Sequence, residues 1–538
     1  MSEAPRGLAL AGPMGAGKSS ACRLLARWLD REPVDLDERI VAREGRSIPE
    51  LFAEGEARFR RAEREALEAL LAEGRLERRV VALGGGTLEH ADLAGRLARE
   101  AVVVHLDADG AELARRLGPA ARAARPLLAG LDEAGAADRL EALRRERAAG
   151  RRRAMLHVHT TGLDERATAV AVLRALWGPP EGPWSGPPRP VVAGSDDVVL
   201  GRGTAPDREG DGELALLVDA GLPSVHRRAL DAAFADARTF ERLGGERAKS
   251  WPSLVGLWDE MLHAGLDRDA RLVVAGGGTL TDLGGLAAHT FKRGLAVEYV
   301  PTTLLGQVDA ALGGKTGINL DHVKNVVGTF RLPRRVHLDP LYVPTLAPVD
   351  LRGGLAEAYK SGLIGDPELC GCLAGAVGDG ELASLARIEE IIGRAARVKL
   401  DVVARDLEEA GPRRALNLGH TLGHALEAEA AARGQGIAHG DAVAIGIVFA
   451  LRLAARLGRL ADGALSERVP ADLEALGLPV RAAGFAPGDA GALLAAMRGD
   501  KKRAGGRLVF ALPLRAGEIA FEAVPDGDVL AALEEFLA

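Results

Sequence analysis

Short apolar runs alternate with longer segments of helical periodicity from the start of the chain to about residue 345. The clearest runs are Leu8–Leu10, Val80–Leu83, Val102–Leu106, Leu214–Val218, Arg271–Ala275 and Ala296–Val300. Strands that are covered by helices on both faces have unbroken apolar runs, as in parallel sheets, whereas half-exposed strands alternate apolar and polar residues. This part of the chain is therefore predicted to form α/β domains with parallel sheets.

Two changes of pattern predict the domain boundaries. The segment Trp177–Pro190 is rich in proline and glycine, which resist both helix and strand, so it is predicted to be a linker. From about residue 350 the pattern is almost wholly helical, apart from an apparent hairpin near Arg507–Leu512. We predict an α/β domain at 1–177, a linker at 178–190, a second α/β domain at 191–348 and a mainly helical domain at 349–538.

Composition limits the classes of function. A chain of 538 residues is too long for one core, and its net charge of −7 argues against a nucleic-acid partner. Its three cysteines, Cys22, Cys370 and Cys372, form no disulfide framework. The longest apolar stretch, Ala442–Leu451, is too short to span a bilayer, and the N-terminus lacks the layout of a signal peptide. We expect a cytoplasmic protein with no membrane partner.

Residues Gly12–Ser19 match the P-loop pattern G-x-x-x-x-G-K-S/T, between an apolar run and a helical segment. Backbone N–H groups of such a loop surround a polyphosphate, the lysine reaches the outer phosphates and the hydroxyl binds Mg²⁺. An ordinary glycine-rich turn is the alternative. The flanking pattern favours a site for ATP and Mg²⁺, with these predicted contacts: Gly12, Gly15, Ala16, Gly17, Lys18, Ser19 and Ser20.

Four further signals follow the P-loop in order. Two carboxylates in Val34–Asp37 are predicted to share one side of a strand end. The charged segment Gly55–Glu63, the glycines Gly84–Gly86 and the triplet Arg125–Leu127 come next. In this order the set resembles shikimate kinase over nearly all of residues 1–177.

The resemblance to shikimate kinase implies a role for each of these positions. Shikimate would be held by Asp37, Arg60, Gly84, Gly85 and Gly86, with Arg147 on its carboxylate. Asp35 would lie near Mg²⁺, and Arg125 would lie on a lid over the phosphates. Lys18, Asp37 and Arg125 would be the catalytic residues. The chain departs from the family after Arg147, because Ala149-Gly150-Arg151 stands where Pro-Leu-Tyr is usual.

The second half of the chain carries a different set of polar motifs. Glycines Gly276–Gly278 follow an apolar strand, as in loops that bring a helix N-terminus to a pyrophosphate. Glu357 and Lys360 are three residues apart, and so share a helix face. Asn417, His420 and His424 are predicted to form one helical stripe. A carboxylate and two histidines from three helices make an open zinc site, although paired surface histidines are the ordinary explanation of H-x-x-x-H.

These motifs, together with Gly313–Thr316 and Lys324-Asn325, resemble 3-dehydroquinate synthase over roughly 190–538. The resemblance implies zinc ligated by Glu357, His420 and His439. It implies NAD contacts at Gly245, Glu246, Lys249, Gly276, Gly277, Gly278, Thr279, Leu280, Thr281, Asp282, Thr302, Thr303, Lys315, Lys324 and Thr345. It implies substrate contacts at Arg293, Asp309, Lys315, Asn325, Lys360, Lys399, Arg413, Asn417, His424 and Lys502. Lys315, Lys360 and His424 would be catalytic.

One departure from this second family falls at Gly244–Lys249, a segment that normally begins with Asp. It affects one predicted cofactor contact and leaves the predicted substrate site unchanged.

We therefore predict a bifunctional shikimate-pathway enzyme. One activity would phosphorylate shikimate with ATP and Mg²⁺. The other would convert 3-deoxy-D-arabino-heptulosonate 7-phosphate to 3-dehydroquinate and phosphate, with NAD and Zn²⁺ or Co²⁺. The alternatives are a metal-dependent polyol or alcohol dehydrogenase in the C-terminal half and an ATP-sensing module at the N-terminus. The partners would be small molecules, and a homodimer through the synthase unit is left open.

Overall fold

The computed structural model describes residues 6–178, 182–193, 195–207, 212–321, 323–378, 381–500 and 507–538. The chain divides into two compact units. The first comprises Met1–Gly186 and Pro223–Leu230, and the second comprises Pro187–Leu222 and Asp231–Ala538. Among the described helices, none combines the length and the apolarity needed to cross a membrane.

In the described part of the first unit, five strands form a parallel sheet in the order β2-β3-β1-β4-β5. The strands are β1 Gly7–Ala11, β2 Glu32–Asp35, β3 Arg79–Ala82, β4 Ala101–Asp107 and β5 Leu156–His159. Side chains alternate across a strand, so Leu8 and Ala9 face opposite sides of the sheet. Both are fully buried, which confirms the prediction that unbroken apolar runs form covered strands.

The helices of this unit are α1 Lys18–Trp28, α2 Leu36–Glu44, α3 Ile48–Ala53, α4 Glu56–Glu73, α5 Ala91–Glu100, α6 Gly110–Ala123, α7 Glu133–Glu146, α8 Ala148–Arg151 and α9 Glu165–Trp177. Leucines of α4 and α5, among them Leu67 and Leu97, pack in a core on the Ala9 face of the sheet. The loops after β1, β2 and β3 meet at one edge because parallel strands present their carboxyl ends together.

The prediction that Asp35 and Asp37 share one side of a strand is wrong. Strand β2 ends at Asp35, and helix α2 begins at the next residue, Leu36. The Asp35 carboxylate caps this helix, accepting a hydrogen bond from the backbone N–H of Asp37 at 3.0 Å. The first helical turn, rather than strand alternation, brings the two carboxylates to the same cavity.

The described strands of the second unit include a seven-stranded sheet with the order β6-β7-β14-β11-β10-β8-β9. The strands of this sheet are β6 Arg189–Val192, β7 Ser195–Leu200, β8 Leu214–Asp219, β9 Arg238–Arg242, β10 Arg271–Gly276, β11 Ala296–Pro301 and β14 Arg335–Leu338. A separate hairpin of β12 Lys315–Leu320 and β13 Val323–Phe330 precedes β14 in the chain. Only the edge strand β6 is antiparallel to its neighbour within the described sheet. Residues 189 and 190, predicted as the end of the linker, lie in β6.

The helices of this unit follow α10 Ser224–Ala233, most of which belongs to the Pro223–Leu230 segment of the first unit. They are α11 Trp251–His263, α12 Gly278–Thr290, α13 Leu304–Val308, α14 Pro348–Gly365, α15 Pro367–Leu373, α16 Leu385–Arg405, α17 His420–Ala432, α18 His439–Arg456, α19 Leu465–Ala475, α20 Ala490–Asp500 and α21 Asp526–Leu537. Two further hairpins pair β15 Val377–Gly378 with β16 Glu381–Leu382 and β17 Leu508–Arg515 with β18 Glu518–Val524. The hairpin predicted near Arg507–Leu512 is therefore present.

The predicted helical stripe of Asn417, His420 and His424 is wrong. Asn417 ends a short 3-10 helix, Pro412–Asn417, and α17 begins only at His420. Between them Gly419 has a φ of 81°, a left-handed conformation that glycine adopts without strain. The backbone therefore changes direction between Asn417 and His420, yet all three side chains line one cavity.

Candidate functional sites

The first unit contains a cavity of about 830 Å³ at the carboxyl ends of its strands. It brings together most of the residues predicted for ATP and shikimate. Those that line it are Gly15, Gly17, Lys18, Ser19, Ser20, Asp35, Asp37, Arg60, Gly85, Gly86, Arg125 and Arg147. Gly12, Ala16 and Gly84 are described but do not line it.

The loop between β1 and α1 has the backbone that a phosphate-binding loop needs. A Cβ at Gly12, where φ is 140°, would lie 2.2 Å from the carbonyl oxygen of Leu106. The Lys18 ammonium donates to the carbonyls of Gly12 and Pro13, each at 2.9 Å. Burial lowers the pKa of Lys18 to about 8. The Ser19 hydroxyl donates to Asp35 at 2.6 Å, so the two oxygens expected near Mg²⁺ are adjacent.

Arg60 is held by a carboxylate that the sequence reasoning missed. Glu63 is fully buried and accepts from the Arg60 guanidinium at 2.7 Å and from the Thr87 hydroxyl at 2.7 Å. The i, i+3 spacing of Arg60 and Glu63 on α4 was the available signal. Opposite them, burial raises the pKa of Asp37 although Lys18 opposes the shift.

Arg147 lies at the end of α7 and donates to the carbonyl of Gly85 at 3.1 Å. Its neighbours along the chain are anchored by Asp107 at the end of β4. Arg144 makes a bidentate pair with Asp107, at 2.8 and 2.7 Å, and Arg151 contacts the same carboxylate at 3.0 Å. Asp107 was not predicted, and it explains how Arg151 is accommodated where the kinase family has tyrosine.

Gly150, in the same segment, packs closely against the side chain of Glu89. Its N–H donates to Glu89 at 3.0 Å, and a Cβ at this position would lie 2.3 Å from that carboxylate. The segment after Arg147 is therefore held in place by different contacts rather than left unsupported.

The second unit contains a cavity of about 520 Å³ between the β12–β13 hairpin and its helices. Most of the residues predicted for the substrate line it. They are Asp309, Lys315, Asn325, Lys360, Lys399, Arg413, Asn417 and His424, joined by Asp282, His420 and His439. Arg293 and Thr345 are described but do not line this cavity, and Lys502 lies outside the described residues.

Three helices place a carboxylate and two imidazoles together. Glu357 lies on α14, and His420 and His439 are the first residues of α17 and α18. One ligand atom from each lies within 4.8 Å of the others, and both Nε2 atoms are 3.5 Å from Glu357 Oε1. Burial opposes ionisation, but Lys360 keeps the pKa of Glu357 well below its usual range. An ionised carboxylate with two imidazoles fits an open zinc or cobalt site.

Glycine lets α17 and α18 approach closely enough to form this trio. A Cβ at Gly446 would lie 1.9 Å from the carbonyl oxygen of Gly419. Any larger residue at Gly446 therefore pushes the two helices apart, and His420 and His439 with them.

Two lysines surround a half-buried carboxylate in the cavity. Asp309 accepts from Lys399 at 2.7 Å and lies 3.7 Å from Lys360. Burial would raise the pKa of Asp309, but the two ammonium groups outweigh it and lower that pKa to about 2. Arg413 is also buried and donates to the carbonyl of Gly313 at 2.8 Å. The cavity thus concentrates cationic donors that suit an anionic substrate.

Glu409 is a third residue that sequence reasoning missed. It pairs with Lys315 and accepts from the Asn417 amide at 2.6 Å. Lys315 and Glu409 are 94 residues apart in the chain, so no local pattern could have connected them.

Several of the residues predicted for NAD surround the start of α12, whereas Lys315 and Lys324 contact Glu409 and Glu427 instead. Strand β10 ends at Gly276, and the N–H of Thr302 after β11 donates to the Gly276 carbonyl at 2.9 Å. Lys249 donates to Asp282 at 2.6 Å, and burial raises the pKa of Asp282 to about 6. Gly245 donates its N–H to the Thr279 hydroxyl at 3.1 Å. The segment Gly244–Lys249, which departs from the family pattern, therefore still contacts this loop.

Comparisons with known families cover both units. Family models match at residues 14–177 for shikimate kinase, 240–353 for the N-terminal part of 3-dehydroquinate synthase and 354–503 for its C-terminal part. The 3-dehydroquinate synthase of Brucella ovis is 38% identical over 368 residues, which span 65% of this chain and 96% of that protein. The chain belongs to the 3-dehydroquinate synthase family. Its first unit is a shikimate kinase domain, so the chain is a fusion of two enzymes.

Other relatives agree with this assignment of the synthase unit. The 3-dehydroquinate synthase of Rhizobium rhizogenes is 39% identical over 329 residues, which span 60% of this chain and 86% of that protein. Among solved structures, 2-epi-5-epi-valiolone synthase from Streptomyces hygroscopicus, with NAD⁺ and Zn²⁺ bound, is 29% identical. The match has a TM-score of 0.56 and covers 64% of this chain and 96% of that one. The bifunctional prediction is confirmed over the dehydrogenase and ATP-sensor alternatives.

Proposed function

We propose that the two cavities are the active sites of a shikimate kinase and a 3-dehydroquinate synthase on one chain. The observation that carries the synthase assignment is the cavity of about 520 Å³, where both histidines of a His₂Glu trio lie beside buried lysines and an arginine. A simple alcohol has no anionic group to pair with so many cationic side chains, whereas a keto-acid phosphate carries both a phosphate and a carboxylate.

In the kinase cavity, Lys18 and the loop N–H groups bind the outer phosphates of ATP. Ser19 and Asp35 would hold Mg²⁺. Arg60 and Arg147 bind the carboxylate of shikimate, and Asp37 accepts a proton from the attacking hydroxyl. The raised pKa of Asp37 suits that role, because a more basic carboxylate accepts a proton more readily. Arg125 balances charge at the transferred phosphoryl group.

In the synthase cavity, Glu357, His420 and His439 would hold Zn²⁺ or Co²⁺, and the loop at the start of α12 would hold NAD. When bound, the metal polarises a substrate oxygen, and NAD takes up and returns a hydride. Lys315, Asn325, Asn417 and His424 bind the phosphate, and Arg413 binds the carboxylate.

Around the ring of the substrate, charged side chains of the cavity hold fixed positions and bind individual substrate oxygens. Asp309 stays ionised and accepts from substrate hydroxyls. Lys360 and Lys399 hold oxygens near the metal trio. We give His424 a supporting role in hydrogen bonding or proton relay, since departing phosphate can itself accept the proton.

The purified chain, supplied separately with each pair of substrates, tests this proposal. Shikimate and ATP should give shikimate 3-phosphate, and heptulosonate phosphate should give dehydroquinate and phosphate. With Mg²⁺ kept in excess, a chelator selective for transition metals should abolish only the second activity, and Zn²⁺ or Co²⁺ should restore it. A chain that releases no phosphate from heptulosonate phosphate would contradict the synthase assignment. The domain boundaries, the cytoplasmic location and a homodimer through the synthase unit stay predictions.

A further inference from the structure

Glu427 presents a second carboxylate to the imidazole of His439. It lies on α17, seven residues after His420 and therefore on the same face of that helix. Glu427 Oε1 is 3.4 Å from Nδ1 of His439, while Nε2 of the same ring is 3.5 Å from Glu357. The two nitrogens of His439 thus face two different carboxylates.

The surroundings of Glu427 favour an ionised side chain with a fixed position. Its side chain is 14% exposed, and its other oxygen is 3.6 Å from the ammonium of Lys324 on β13. A half-buried charged side chain is stable in a folded protein when an opposite charge or a hydrogen bond compensates it. Glu427 therefore links the metal trio on one side to the β12–β13 hairpin on the other.

We propose that Glu427 is a positioning residue for the metal site, an inference that rests on the proposed function. Its carboxylate accepts the Nδ1–H of His439, which selects the tautomer whose Nε2 lone pair points at the metal. Histidines that bind metals generally donate their other ring N–H to an oxygen, and loss of that partner costs about 10–100-fold in affinity. The ring is otherwise free to rotate or to take the wrong tautomer.

A second cation site is the competing explanation for the same cluster. Ligand atoms of His424, Glu427 and His439 also lie within 4.8 Å of one another. A cation there would occupy Nδ1 of His439 and leave no proton for the hydrogen bond to Glu427. The positioning role and the second site therefore predict different numbers of bound metal ions.

Cobalt titration of the full-length, chelator-stripped protein distinguishes these outcomes. We expect one Co²⁺ per chain, detected by its visible absorbance, and a Kd raised about 10–100-fold in Glu427→Ala. Glu427→Gln should fall between Glu427→Ala and the wild type because an amide oxygen still accepts a hydrogen bond. Glu429→Gln is the matched control, since two residues along a helix turn its side chain about 200° away.

Kinase activity and the thermal melting curve should be unchanged in all three variants, which separates altered binding from unfolding. Wild-type affinity in both Glu427 variants would overturn the proposal. Two equivalents of Co²⁺ in the wild type, with the second lost in Glu427→Gln, would overturn it in favour of the second cation site. A wild-type chain that binds no Co²⁺ would instead contradict the proposed metal-dependent function itself.

Discussion

Gly446→Ala should weaken metal binding although residue 446 contacts no metal. The new Cβ would lie 1.9 Å from the carbonyl oxygen of Gly419, and ordinary contact begins near 3.4 Å. Helices α17 and α18 must therefore separate by about 1.5 Å at this point, the difference between these distances. Metal–ligand distances tolerate only about 0.2 Å, so His420 and His439 cannot both keep their places around the metal.

The free-energy terms of this substitution partly cancel for folding but not for metal binding. Overpacking costs about 1–3 kcal/mol, and replacing glycine by alanine inside a helix returns about 1 kcal/mol. The free energy of unfolding should therefore fall by no more than about 2 kcal/mol. Metal affinity should fall at least tenfold, which corresponds to about 1.4 kcal/mol.

Cobalt titration and phosphate release measure the effect, with kinase activity as the internal control. Gly436→Ala is the matched variant, because a Cβ there meets nothing within 4 Å. It should bind metal like the wild type. A Gly446→Ala protein with metal affinity within about twofold of the wild type would refute the argument that the contact between Gly446 and Gly419 fixes the positions of the metal ligands.

Three further predictions concern the kinase domain. Lys18→Ala should abolish phosphorylation of shikimate and leave synthase turnover within about twofold, because the substitution removes charge only at the phosphates of ATP; joint loss of both activities in a folded protein would contradict independent sites. Because the pKa of Lys18 is lowered to about 8, ATP affinity should fall as the pH rises from 8 to 9.5 and the ammonium loses its proton. Calorimetric titration with the nucleotide measures this affinity, and a value that does not change with pH would contradict the role of Lys18 in binding phosphate. Asp107→Asn should raise the KM for shikimate about tenfold with a smaller change in kcat, since Arg144 and Arg151 lose the charge that anchors the segment carrying Arg147; an unchanged KM would remove Asp107 from the site.

The strands and the polar motifs could be predicted from the sequence because each is a local pattern. Runs such as Val102–Leu106 identify buried strands, and Gly12–Ser19 carries its own structural context. The backbone at Asp37 and Asn417 was mispredicted because a helix start and a glycine turn each interrupt a regular repeat. Both residues still line the expected cavities.

Unlike Glu63, the partners that lie far along the chain from the residues they contact could not be found from the sequence. Asp107 supports Arg144 across 37 residues, and Glu409 meets Lys315 across 94. Such pairs depend on how helices pack on sheets, and an isolated acidic residue has no periodicity to reveal it. These distant partners are therefore the part of each site that only the fold supplies.

The ratio of NADH formed to phosphate released tests the central claim most directly. The cations of the synthase cavity suit a substrate phosphate, and the hydride taken by NAD must return for dehydroquinate to form. We predict continuous phosphate release from heptulosonate phosphate with catalytic NAD⁺ and no net rise in NADH absorbance. One NADH per substrate consumed, with no phosphate released, would contradict the account and make the second unit a dehydrogenase.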